Sequence, residues 1–248
     1  MVQKGITKAG VWTKVLKTAL ELPGARVDRS KYLEKELSKY YSEEVVEKAI
    51  EERPILAGIP VHAVNSMAKS AIKSHRAKVT ALSFVAGLPG GLWIAGTIPA
   101  DLAQFFWHVI VVTQKLAYLY GWPMLQDPVE EMDEETLHVF TLFVGVMLGA
   151  SSAAKGISKI AEKLSKEVVK RLPRMALTKY GVYNLSKQVA KWIGIRLTKQ
   201  SFAKGVGKFV PILGGFISGI VTWITYSRMS KRLRKHLSKL YLATGKET

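Results

Sequence analysis

The chain has 248 residues, of which 48% are apolar, and it carries a formal net charge of +18. It contains no cysteine, which excludes a disulfide framework and a thiolate metal site and fits a reducing compartment. Its N-terminal stretch, MVQKGITKAGVWTKVLKTAL, has no long apolar core and no small-residue cleavage site, so a secretory signal is not expected. The charge is unevenly placed. Residues 1–149 hold 16 Lys/Arg and 16 Asp/Glu, whereas residues 150–248 hold 21 and 3. A basic half of this kind points to a polyanionic partner, either an anionic membrane face or nucleic acid.

In chain order, Val11, Val15, Leu16 and Ala19 alternate with lysines and predict a short amphipathic helix over 7–20. Leu22-Pro23-Gly24 ends it, and Asp28 or Ser30 can cap the next helix. Leu33, Leu37, Tyr40, Tyr41 and Val45 predict a single surface helix over 30–52. After Pro54, Gly58 and Pro60, a helix is expected from Val61 to about Gly87, basic first and apolar last. A stretch broken at Pro89-Gly90-Gly91 and Pro99 leads into a helix beginning near Asp101, which Gly121 and Pro123 stop. Six of the 19 acidic residues lie between Asp127 and Glu135, and Asp133 to Glu135 favour the N-terminus of the helix that follows. Leu137 to Ser158 is strongly apolar. Beyond it, Ile157, Ile160, Ala161, Leu164 and Val168 form an apolar stripe beside Lys155, Lys159, Lys163, Lys166 and Lys170. Residues 174–204 read as one or two basic helices. A third apolar region, 209–227, passes directly into a basic helix whose apolar side is Met229, Leu233, Leu237 and Leu240. Arg228, Lys231, Arg232, Lys235 and Lys239 form its charged side. With no strand-like alternation and no internal repeat, the chain is predicted to be all-α, a multi-helix bundle of about eight to ten helices in one domain over 1–248.

Three windows, 79–99, 138–157 and 207–227, approach the roughly 20 apolar residues that a membrane span needs. Each is interrupted or marginal. Within them Gly87 and Gly91, Gly145 and Gly149, and Gly215 and Gly219 recur at the spacing that lets helices approach closely in a bilayer. The same glycines would also permit close packing in a water-soluble core. Asp101, Gln104, His108 and Lys115 share one face of their helix, and that face must meet protein or water.

Leu22-Pro-Gly with Val27-Asp-Arg, then Gly87-Leu-Pro-Gly-Gly, Pro99-Ala-Asp-Leu and Tyr120-Gly resemble, in order and spacing, the EcsC family of bacterial proteins. The resemblance runs from about residue 15 onward. The chain is more distantly similar to helical domains attached to some membrane-associated GTPases, which share a Pro-Ile-x-Gly-Gly segment like Pro211 to Gly215. These likenesses imply a membrane-related setting and bring no known reaction. The GTPase phosphate loop is absent from the sequence, so nucleotide hydrolysis is not implied.

The five histidines are scattered, and the sequence has no zinc-protease motif, nucleophile elbow or dinucleotide fingerprint. No metal, cofactor or catalytic residue is therefore expected, and the chain is not read as an enzyme. If a polar site exists, it is Asp101, Gln104 and His108, with Asp101 preferred as a helix cap. The leading expectation is a membrane-associated helical protein at the cytoplasmic face of a bacterial membrane. Its lysines and arginines named above would hold anionic lipid, and its glycine-containing helices would pack or insert, with pore formation or membrane deformation as consequences of insertion. Other membrane proteins or a second copy are further partners. A nucleic-acid binder using the same basic half and an enzyme using Asp101 and His108 remain open alternatives. The nucleic-acid reading is the weaker partner choice, because the aromatics sit mostly in apolar windows.

Overall fold

The computed structural model describes residues 8–86, 100–126, 133–166, 184–192 and 211–245, with side chains at 10–84, 102–126, 133–166, 184–192 and 219–245. The protein is all-α, with no strand among the described residues. The helices are α1 (Lys8–Glu21), α2 (Arg29–Leu37), α3 (Glu43–Glu51), α4 (Val61–Ala86), α5 (Ala100–Leu119), α6 (Glu134–Leu148), α7 (Ser151–Ser165), α8 (184–192), α9 (Pro211–Leu237) and α10 (Tyr241–Thr244).

Helix α5 is the hub and packs against α1, α2, α4, α6 and α9. Its Phe105, Phe106, Val109, Ile110, Leu116 and Tyr118 are fully buried. Each such side chain contributes about 1.5–3 kcal/mol on burial. Helices α4 and α9, 26 and 27 residues long, lie against one another. From α1, Trp12 enters the core, with its ring edge-on to Phe106 and its Nε1 donating to Thr141 Oγ1 of α6 at 2.8 Å. Trp12 rather than Val11 thus lies on the inner face of α1, and Val11 is exposed.

Local chemistry sets the helix ends. The Asp28 carboxylate accepts from Lys31 N, and that of Asp133 accepts from Thr136 N. Pro211 opens α9, where its missing N–H costs nothing. Gly121 ends α5 at φ 84°, with Trp122 N bonded to Ala117 O and Gly121 N to Tyr118 O. A Cβ on Gly121 would lie 2.6 Å from Leu242 O, so the α5 turn and α10 approach backbone to backbone.

Several expectations are corrected. The single helix over 30–52 is two, α2 and α3, because Ser42 stands at the N-cap of α3 and Glu43 and Glu44 fill its first turn. The apolar window 138–157 is also two helices. Gly149 adopts φ 90° and ends α6 in the same double-bonded turn as Gly121, with Ala150 N on Gly145 O. The last basic helix stops at Leu237, and Leu240, expected on its apolar side, is instead the buried N-cap of the short helix α10. Among the described residues no helix is long and apolar enough to cross a membrane. Leu137 to Met147, the heart of the second window, is nearly all enclosed by the protein's own side chains.

Candidate functional site

Of the predicted polar face, Gln104 and His108 border an open pocket of about 570 Å³ between the α1–α2 turn, α4 and α5. Among the described residues its other polar wall residue is Lys78 of α4, and Leu22, Pro23, Ala81, Leu82 and Trp107 supply apolar surface. The α1–α2 turn is held there from α5. Trp107 Nε1 donates to Pro23 O at 3.0 Å. Gln114 Nε2 donates to Ala25 O at 2.7 Å, and Val27 N donates to Gln114 Oε1 at 3.0 Å. The Asp101 side chain lies outside the described residues.

Behind this wall the structure brings together a pair that sequence spacing did not reveal. His108 Nδ1 lies 3.0 Å from His75 Nδ1 of α4, and His75 Nε2 lies 3.1 Å from Lys115 Nζ. His75 and His108 are both buried. Tyr226 of α9 donates to the His108 carbonyl at 3.1 Å and pins α9 at the same level. Desolvation, then Lys115, His108 and Lys78, lowers the His75 pKa to about 3. Desolvation, then Lys78 and Lys115, lowers that of His108 to about 4. Burial also lowers that of Lys115, which the more distant Glu36 partly opposes.

The donor order follows from these groups. An ammonium can only donate, so Lys115 makes His75 Nε2 an acceptor. The proton of neutral His75 then sits on Nδ1 and is donated to His108 Nδ1. Neutral His108 therefore carries its proton on Nε2, as a donor.

The pair makes stability depend on pH. Unfolded histidine titrates near about 6.5, above the folded values, so the unfolded chain binds more protons as pH falls below that point. Stability is full above about pH 6.5 and falls toward pH 4, by about 1.4 kcal/mol per pH unit for each histidine. Urea unfolding between pH 7.5 and 5 should show this slope. In His75→Gln, which can accept from Lys115 and donate to His108 without titrating, the slope should be shallower by one histidine.

The predicted lipid-binding residues Lys155, Lys159, Lys163 and Lys166 are all exposed on or just after α7, and Lys170 lies outside the described residues. Arg228, Lys231, Lys235 and Lys239 are exposed. Arg232 is exposed too, but its Nη1 donates to Met147 O at 3.4 Å at the C-terminus of α6. The glycines divide. A Cβ on Gly145 would stand 2.7 Å from Ala153 Cβ, so Gly145 is where α6 and α7 touch. Gly149 is a helix terminator over which the Arg232 guanidinium lies. Gly219 faces Thr80 and Phe84 of α4 at ordinary contact distance. Gly87 and Gly91 lie outside the described residues, as do the side-chain surroundings of Gly215.

A second surface feature was missed. Ile220, Trp223 and Ile224 of α9 are 56%, 42% and 43% exposed and lie at i, i+3 and i+4. The guanidinium of Arg76 stands 3.7 Å over the Trp223 ring and donates to Ser227 Oγ. Ile220, Ile224, Arg228, Lys231 and Lys235 follow one another at intervals of three and four, so they form one outward stripe. The opposite side of α9, with Thr222, Tyr226, Met229 and Leu233, is buried. The stripe is apolar for its first turns and cationic for the rest. The residues were visible in the sequence, but only the packing of α9 on α4 and α6 separates outward from inward.

No group of three or more metal-ligating side chains occurs among the described residues. The chain matches no family model, no curated protein and no solved structure.

Proposed function

We propose that the protein docks on anionic lipid bilayers as a peripheral protein, using the outward stripe of α9. The observation that carries this is the run Ile220, Trp223, Ile224, then Arg228, Lys231 and Lys235, on one exposed line of one helix. Apolar side chains enter the acyl boundary, an amphipathic indole sits at the headgroup level, and cations meet lipid phosphates. Each basic group near such a surface is worth about 1 kcal/mol. The exposed lysines of α7 add to the positive field that draws the protein in. Membership of the EcsC family and a place at the cytoplasmic face of a bacterial membrane belong to this proposal and rest on the motif resemblance. The Leu22-Pro-Gly turn, the capping Asp28 and the Tyr120-Gly helix end serve the fold, so they support a shared scaffold rather than a shared reaction.

Flotation with vesicles tests the electrostatic half. The detergent-free protein should float with vesicles containing phosphatidylglycerol and not with pure phosphatidylcholine. The bound fraction should fall from about 0.1 M to about 1 M salt, where the screening length shrinks from about 10 Å to about 3 Å. Binding to neither vesicle would overturn the reading, and salt-sensitive binding to duplex DNA with no flotation would replace it.

A further inference from the structure

We infer that the pocket between α4, α5 and the α1–α2 turn binds a single-chain anionic amphiphile, a carboxylate or phosphate head on one acyl tail. Its volume of about 570 Å³ falls within the range of small-molecule sites. Leu22, Pro23, Ala81, Leu82 and Trp107 offer a surface for a hydrocarbon tail. Its polar groups, Lys78, Gln104 and His108, can all donate hydrogen bonds.

The buried relay decides the sign of the head. Lys115 forces His75 to donate to His108 Nδ1, and this leaves His108 with Nε2–H, a donor suited to an anion. With the opposite tautomer, the histidine on this wall would offer a lone pair and repel one. Lys78 adds a full positive charge at the same wall, and Lys115 stands one histidine further in. Among the described residues, an apolar tail surface beside Lys78 and two further donors favours an anionic head over a neutral alcohol, and the tail surface favours an amphiphile over a free inorganic anion. The site is separate from the α9 stripe. Arg76 and Thr80 of α4 meet α9, whereas Lys78, Ala81 and Leu82 lie on another side of α4.

Isothermal titration of the full chain, with ligands below their micelle concentrations, tests this. The probes are laurate, dodecyl phosphate, dodecanol and inorganic phosphate. Laurate or dodecyl phosphate should bind about tenfold or more tighter than dodecanol, as one charge-assisted hydrogen bond implies. Whichever of the two is tighter names the head. Inorganic phosphate should bind far more weakly than either. Lys78→Met, at an exposed position, should weaken the anionic probes about tenfold and leave dodecanol unchanged. Leu82→Asp should weaken every tailed probe. Nitrogen-15 spectra should show the His108 Nε2 signal moving when laurate binds. Equal affinity for laurate and dodecanol, wild-type affinity in Lys78→Met, or no binding of any tailed probe would overturn the assignment. Since no vesicle is used, failure here leaves the docking surface of α9 standing, and failure of flotation leaves the pocket standing.

Discussion

Arg29→Met is expected to destabilise the fold by on the order of 4 kcal/mol, through the loss of several charge-assisted hydrogen bonds. The Arg29 guanidinium is buried at the N-terminus of α2. Its Nε donates to Trp122 O at 3.0 Å, Nη1 to Ile50 O, and Nη2 to Ala49 O at 3.4 Å and Glu52 O at 3.3 Å. One side chain thus closes the carbonyl end of α3 and the turn after α5, which are distant in sequence. Methionine fills similar space but leaves those carbonyls without donors. Burial lowers the Arg29 pKa to about 10, offset in part by Tyr118, so the group stays charged at neutral pH. Lysine cannot reproduce the planar fork, so Arg29→Lys should recover less than half of the loss. Urea unfolding followed by circular dichroism measures this. A loss below about 1 kcal/mol, the net worth of a single ordinary hydrogen bond, would show that the carbonyls find other partners. Since domains are stable by only about 5–15 kcal/mol, the expected change should also lower the yield of folded protein.

The parts of this architecture set by near neighbours in the chain were readable before folding. Asp28, one of the two candidates with Ser30, caps α2, Asp133 caps the helix whose start the acidic run was expected to favour, and Gly121 ends the helix it was expected to end. Errors arose where one residue satisfied two patterns. Gly145 and Gly149 have the spacing of a close-packing pair, and Gly149 is also the residue type that takes a left-handed conformation at a helix end. The turn carried out the second role and cut the apolar window in half. Likewise, the helical spacing of Leu33 to Val45 runs through Ser42, whose position before two glutamates marks a new start. The site was half legible. Gln104 and His108 share a helix face by spacing alone, but His75 meets His108 only because α4 crosses α5, and that crossing is set by packing across the whole core. The inner and outer sides of the apolar 209–227 region could not be told apart for the same reason. Tyr226 turns inward and Trp223 outward once α9 has a neighbour.

Replacing Ile220, Trp223 and Ile224 together by serine should weaken binding to phosphatidylglycerol vesicles about 100-fold. Each of these side chains is about half exposed, so each can still gain on the order of 1 kcal/mol by entering lipid. Three such gains, about 3 kcal/mol, set the expected ratio. The exposed positions should tolerate serine with little change in unfolding temperature, which separates lost docking from lost folding. The deciding measurement is the partition coefficient of the wild-type and triple-serine chains on the same anionic vesicles at low salt. Tight wild-type partitioning and the roughly hundredfold drop are the expected result. Equal partitioning of two folded chains would show that α9 does not face the bilayer and would contradict it.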